Sequence, residues 1–271
     1  TYDQRGYVTA TDYTNGLAYV ETTRDWQGRI KNIPIGGSDK VFYKYVGSRV
    51  AERKYDLAIQ DVLYQPEYDN LGRITSADSG IDLAKFDYTF EPNSFNIAQQ
   101  KYDHRNDDPC TNFTYDNLDR LTVAQYDIGD NNEAFTMDKL SNREKVNVRS
   151  GTDVDYDVND LTNRYTSVGS NSLAYDKAGN LKLDKDGYNY EYDYENRIVK
   201  ITKGDNDIAQ FAYDALGRRI RKTDYIADSN TLYYYNINWQ VLNEYDDNGS
   251  TLRMFVYGNY IDEVILMRTD G

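Results

Sequence analysis

Tyr213-Asp214-Ala215-Leu216-Gly217-Arg218-Arg219-Ile220 is one copy of a pattern, Y-D-x-x-G-R followed by an apolar residue, that recurs along the whole chain. Its residue types specify a turn. Asp214 stands where a type I turn wants a side chain that accepts local backbone hydrogen bonds, and Gly217, three residues on, stands where a positive φ is needed. Such a turn reverses the chain with a small bulge. The aromatic before it and the apolar residue after it then lie on paired strands, so the unit is a β-hairpin with a marked tip.

The other copies test this reading. They are Tyr2-Asp3 with Gly6, Arg24-Asp25 with Gly28, Tyr68-Asp69 with Gly72, Tyr115-Asp116 with Asp119, and Met137-Asp138 with Ser141. Tyr156-Asp157 with Asp160, Tyr175-Asp176 with Gly179, Tyr192-Asp193 with Asn196, and Tyr245-Asp246 with Gly249 follow. Gly, Asn and Asp enter the left-handed region most easily, and only Ser141 departs from that set. A catalytic motif would fix a side chain at this position, whereas these copies hold a backbone property. The repeated residues are therefore expected to be structural turn residues, with no catalytic, cofactor-binding or metal-binding assignment.

From Tyr115 through Met137, Tyr156, Tyr175 and Tyr192 to Tyr213, the copies are spaced by about 17 to 22 residues, one hairpin per repeat. The intervals from Arg24 to Tyr68 and from Tyr68 to Tyr115 are about twice as long and leave room for degenerate copies near Tyr43–Val50, with Gly47, and near Tyr88. Fixed-period self-similarity marks an array in which each unit buries its apolar face against its neighbours.

The units YDNLGRI from Tyr68, YDKAGNL from Tyr175, YDYENRI from Tyr192 and YDALGRRIRK from Tyr213 resemble the YD repeats of Rhs proteins, bacterial wall-associated proteins, the BC component of Tc toxin complexes, and animal teneurins. Residues 245–271 resemble the start of the Rhs-associated core segment, with Tyr257-Gly258 and Ile261-Asp262-Glu263 in place. The His-Leu-Gly motif and autoproteolytic aspartate pair that follow in many members are not among these residues, so self-cleavage is assigned to none of them. The resemblance implies an all-β fold of tandem hairpins in a continuous curved or spiralling sheet, a segment of a hollow shell that encloses or displays another domain. The expected organisation is one array over residues 1–271 within a larger protein: less regular repeats at 1–114, regular ones at 115–244, and the core-like segment from 245.

Composition narrows the function classes. A chain of 271 residues could bury a large core if compact, while a hollow sheet would bury less. The formal charge of −14 argues against nucleic acid and against anionic membranes. The 28 tyrosines suit a partly dry sheet on which rings pack and hydroxyls stay wet. A single cysteine, Cys110, forms no internal disulfide, and a single histidine, His104, supplies no multi-histidine metal site. No apolar run reaches the length of a membrane span. No signal peptide precedes Thr1, so the chain reads as a piece of an extracellular or cell-surface protein whose export signal lies elsewhere.

Along the chain, Pro34-Ile35-Gly36-Gly37 reads as a loop or wide turn, and Val41–Val46 as a strand with one buried side. Pro66, Pro92 and Pro109 suggest edges or long loops between residues 61 and 114, and Lys101–Thr111 an irregular connection. Leu181–Asp184 and Tyr188–Tyr192 alternate across a turn at Lys185-Asp186-Gly187. Tyr233-Tyr234-Tyr235 reads as an aromatic strand, and Trp239 with Val241-Leu242 as the start of the next.

Reactive alternatives are weaker. The acidic groups Asp184, Asp186 and Glu191, or Asp205 and Asp207, offer oxygen ligands but do not match an EF-hand loop. Carboxylate pairs carry no information in a chain with 45 Asp and Glu. A hydrolytic triad would need His104, which has no nucleophile motif near it, and no phosphate-binding glycine loop is present. The arginines after the turn, Arg29, Arg73, Arg120, Arg197 and Arg218, are expected to pair or stack with the Asp and Tyr of the adjacent repeat. The expected role is a non-enzymatic shell segment, without cofactor, whose partner is the remainder of its own polypeptide. A surface adhesin for glycan or protein, and a self-associating filament subunit, are the alternatives.

Overall fold

The computed structural model describes residues 1–11, 20–35, 38–56, 61–80, 84–105, 109–127, 132–148, 151–258 and 262–269. Gly36, Gly37, residues 106–108 of the Lys101–Thr111 connection, and Ile261 therefore lie outside the described residues. No helix occurs among the described residues; every extended element is a strand and every described pairing is antiparallel. The chain divides into two compact units, Thr1–Asp153 and Val154–Gly271.

In the first unit the strands pair in chain order. Ser38–Val46 pairs with Arg49–Tyr55, Val62–Tyr68 with Ile74–Asp78, and Lys85–Phe90 with Ile97–Tyr102. Cys110–Tyr115 pairs with Leu121–Tyr126, and Glu133–Met137 with Arg143–Val148. Each hairpin is bonded to the next, so they form one meander. In the second unit Val154–Asn159, Arg164–Val168 and Asn171–Ser172 form a short ladder. Ten further strands, from Ala174–Tyr175 to Val264–Thr269, pair in strict sequence order.

A one-residue shift in register falls at Tyr68, Tyr115, Tyr175, Tyr192, Tyr213 and Tyr245, the residue before the turn aspartate each time. The bulge follows from the turn: a left-handed residue after a type I turn inserts one extra residue into the returning strand. Burial is thin. The inward residues include Ile33, Val41, Tyr43, Val50 and Val146 in the first unit, and Ala209, Met254, Val256 and Ile265 in the second. Val41 and Tyr43, like Met254 and Val256, are two apart, which is the period of one sheet face.

Four local expectations are corrected. Asp157 lies within Val154–Asn159 opposite Ser167, and the reversal is made by Asn159, with Asn163 rather than Asp160 in the left-handed region. The side chain of Asn159 accepts from the backbone N–H of Leu161 and Thr162, so an asparagine two residues downstream took the role expected of the aspartate. Trp239 does not begin a strand; it holds φ +66° at a tip, and Val241–Tyr245 follows it. Pro34 lies in Ile30–Ile35 opposite Asp39, at a register shift. Pro66 lies inside Val62–Tyr68 opposite Ala77, between two other strands. The proline is tolerated there because the described ladder with Arg49–Tyr55 stops at Tyr64. Pro92 and Pro109 lie in connections, as expected.

Candidate functional site: the hairpin tips

At Asp214 the tip closes with two backbone bonds, Gly217 N–H to the Asp214 carbonyl at 3.0 Å and Asp214 N–H to the Arg218 carbonyl at 2.9 Å. The Asp214 Oδ1 accepts from the N–H groups of Leu216 and Arg218, both at 2.9 Å, and Oδ2 accepts from Arg218 Nε at 2.7 Å. One carboxylate thus satisfies the free donors of its own turn and orients the arginine four residues on.

The same arrangement recurs at Asp25–Arg29, Asp69–Arg73, Asp116–Arg120 and Asp193–Arg197, with Nε to Oδ2 distances of 2.6–2.7 Å. At Asp138 and Asp176 an asparagine, Asn142 or Asn180, replaces the arginine and donates through Nδ2. At Asp246 the carboxylate accepts from the N–H groups of Asn248 and Ser250. Loss of solvent pushes the Asp214 carboxyl upward, but the N–H and guanidinium of Arg218 pull it further down, leaving it below the ordinary aspartate value. The balance is the same at Asp69, Asp116 and Asp193.

Each tip also grips its neighbours. The Tyr213 hydroxyl donates backward to the carbonyl of Ile198, directly after the preceding tip, at 2.8 Å. Tyr45, Tyr68, Tyr115, Tyr192, Tyr235 and Tyr257 donate in the same way to Ile30, Val50, Ile97, Leu181, Arg219 and Val241. These tyrosine hydroxyls are therefore not simply wet; each satisfies a backbone carbonyl. Burial raises the pKa of Tyr115, Tyr192, Tyr213, Tyr235 and Tyr257, which keeps the donor protonated.

In the forward direction, the Arg29 guanidinium lies 4.3 Å from the Tyr45 ring, Arg197 4.8 Å from Tyr213 and Arg218 5.4 Å from Tyr235. Arg29 and Arg73 also donate to the carbonyls of Gly47 and Ser94, and Arg120 to that of Asp138 at 2.7 Å. The expected arginine–tyrosine stacking is found between repeats. The expected pairing with the neighbour's aspartate is corrected: the carboxylate belongs to the arginine's own turn, because a four-residue offset across a tight reversal brings the two side chains together.

The named left-handed positions Gly72, Asp119, Gly179, Asn196, Gly217 and Gly249 all have positive φ, and Ser141 joins them at +69°. Tyr235-Asn236 with Trp239 is a tip the Y-D pattern missed. The Asn236 Oδ1 accepts from Asn238 and Gln240 N–H, and Gln240 stands where the arginine does elsewhere. The signal was the amide of Asn236, isosteric with the carboxylate. The turn at Lys185-Asp186-Gly187 uses the same device, with Asp184 Oδ1 accepting from Asp186 and Tyr188 N–H.

Among the described residues the reactive constellations do not assemble. The His104 ring packs on Phe86 and Tyr102, with Nδ1 against the backbone of Lys85. Asp184 Oδ2 accepts from the Tyr190 hydroxyl, and Asp207 pairs with Lys200. Among the described residues no cluster of three or more His, Cys, Asp or Glu could hold a metal ion, and no helix is long and apolar enough to cross a membrane.

Residues 85–270 match the Teneurin YD-shell family model. The chain is 31% identical over 130 residues to the tRNA3(Ser)-specific nuclease WapA of Bacillus spizizenii, and 30% identical over 130 residues to the tRNA nuclease WapA of Bacillus subtilis. Each alignment covers 46% of this chain and 5% of the relative. The fold is similar to that in the Photorhabdus luminescens Tc holotoxin pore, with a TM-score of 0.66, 14% identity, 99% of this chain and 18% of the other covered. It is also similar to that in the TcdB2–TccC3 crystal structure, with a TM-score of 0.60, 12% identity, 99% of this chain and 21% of the other. The chain thus spans about a twentieth of these curated relatives and about a fifth of these solved chains. It belongs to the Teneurin YD-shell family.

Proposed function

We propose that this chain is a structural, non-enzymatic segment of an extracellular or cell-surface protein, whose hairpin array encloses or presents another domain of the same polypeptide. The observation that carries this reading is the two-way clasp: the repeated Tyr and Arg hold one hairpin to the next, and the Asp orients that Arg from within its own turn. Likeness to chains from Tc toxin assemblies supports it. The nuclease activity in the names of the WapA relatives is placed outside the shared repeats. The array itself is given no cofactor, no nucleic-acid site and no membrane insertion.

The test is limited proteolysis of the full-length polypeptide. The domain following the array should resist protease until denaturant unfolds the array. Cleavage of that domain at the rate of its isolated form would end the enclosure reading.

A second reading, an adhesive module for glycan, is favoured by aromatic side chains at the tips: Trp26 is 85% exposed, Tyr194 89% and Trp239 56%. Such rings can stack on sugars. Glycan-array binding by the purified chain, abolished by Trp26→Ala or Tyr194→Ala, would support it; an array without binding would remove it.

A further inference from the structure

We propose that the residue closing each tip, at the start of the returning strand, and the left-handed residue of the next tip on the same side of the array form a matched pair that decides which hairpin can follow which.

Two pairings occur within the units. In one, the first residue is arginine and the second glycine. The Arg49 guanidinium lies against Gly72, and that of Arg164 against Gly179, where an added Cβ would collide with it. Arg197 lies in ordinary contact distance, 3.6 Å, of a Cβ built on Gly217. In the other, the first residue is asparagine and the second carries an acceptor side chain. The Asn180 Nδ2 donates to Asn196 Oδ1 at 2.8 Å, and Asn96 Nδ2 donates to Asp119 Oδ1 at 2.7 Å. Arg120 and Ser141 are intermediate, a long donor against a small hydroxyl at 3.3 Å.

The chemistry behind the match is reach. A guanidinium spans the gap between tips, so the facing position must lack a side chain or carry a small one. An amide stops short, so the facing position must bring a carbonyl or carboxylate to meet it. The donor always comes from the earlier hairpin and the acceptor side chain from the later one, which gives the joint a direction along the chain. This explains why non-glycine residues occupy Asp119, Ser141 and Asn196: a left-handed backbone is needed at every tip, but the side chain answers the preceding repeat. Two joints depart from the rule: Arg73 donates to the carbonyl of Ser94 beside the left-handed Asn93, and Arg218 precedes Trp239, where the indole is exposed and the guanidinium rests on Tyr235.

The test is a double-mutant cycle in the intact chain, read by urea unfolding. Asn180→Arg alone should destabilise, because the guanidinium meets the Asn196 side chain, whereas Asn196→Gly alone loses the amide bond but relieves the left-handed backbone at Asn196, a backbone gain that cancels in the cycle. The double variant should exceed the additive expectation by at least about fivefold in the folding equilibrium constant. Asn196→Asp, which copies the Asn96–Asp119 pair, should stay within about twofold of the parent. Additivity of the two substitutions would overturn the proposal, as would an Asn196→Asp variant that falls well beyond about twofold below the parent. If the Asn180→Arg protein does not fold, the same cycle at Asn96→Arg and Asp119→Gly gives the same decision in the other unit.

Discussion

The hydroxyl of Tyr213 donates to the carbonyl of Ile198 at 2.8 Å, from the strand entering one tip to the first strand residue beyond the preceding tip. Removing only this hydroxyl, with Tyr213→Phe, should cost roughly 1 kcal/mol, since the ring keeps its packing and one hydrogen bond is lost. Thermal unfolding should register a fall of about 2–4 °C for a chain of this size. Tyr194→Phe is the control: its ring is 89% exposed and should move the midpoint by less than the error. Equal effects at both positions would show that the bond to Ile198 does not join the hairpins.

Gly72 and Gly249 share φ +81° but not their surroundings. An alanine at either position pays the left-handed penalty of about 1–2 kcal/mol. At Gly249 nothing lies within 4 Å of the added Cβ, whereas at Gly72 the Arg49 guanidinium must also move off the Tyr68 ring. Gly72→Ala should therefore destabilise more than Gly249→Ala, and Arg49→Ala should erase the difference. A difference that survives Arg49→Ala would place its cause elsewhere.

These positions show what the sequence carried and what it did not. The left-handed residue and the aspartate are readable because a type I turn with a bulge demands both by backbone geometry, whatever surrounds them. Asn236 and Asn159 lie outside the aspartate pattern, although the amide oxygen of Asn236 accepts the same two backbone donors and that of Asn159 accepts those two and three residues on. At Tyr156-Asp157 the dipeptide occurs without the turn, because the strand runs on two residues to Asn159. The partners of Tyr213 and Arg197 depend on the lateral offset between hairpins, which no local pattern contains. Pro66 misled for the same reason: whether a strand proline loses a hydrogen bond depends on where the neighbouring ladder ends.

The turn aspartates give the array a defined acid response. The folded pKa values of Asp69, Asp116, Asp193 and Asp214 are lowered. Their contribution is therefore fully present above the ordinary aspartate value near 4 and is lost as pH falls through the folded values. Asp103, held low by Lys101 and Lys85, acts in the same direction. Urea unfolding midpoints should be insensitive to these groups between pH 7 and about 5 and should fall steeply below about 4. Asp214→Asn should flatten the acid slope while lowering the midpoint at pH 7, because the amide loses the charged bond to Arg218. An unchanged acid slope in that variant would mean that the Asp214–Arg218 pair does not contribute to the acid response.

At the opposite end of the pH scale, burial and the hydrogen bond donated to Asp184 push the Tyr190 hydroxyl up to about 12. A free tyrosine ionises near 10, so the unfolded chain releases this proton first, and the stabilisation is complete below pH 10 and disappears as pH rises toward 12. Tyr190→Phe should remove part of the alkaline slope of stability. Asp184→Asn should bring the Tyr190 titration, followed by ultraviolet absorbance as the difference from Tyr190→Phe, back toward 10. If Tyr190 titrates with the exposed tyrosines in the parent protein, the Asp184–Tyr190 bond does not persist in solution, and the turn at Asp186-Gly187 is then held by Asp184 Oδ1 and its two backbone donors alone.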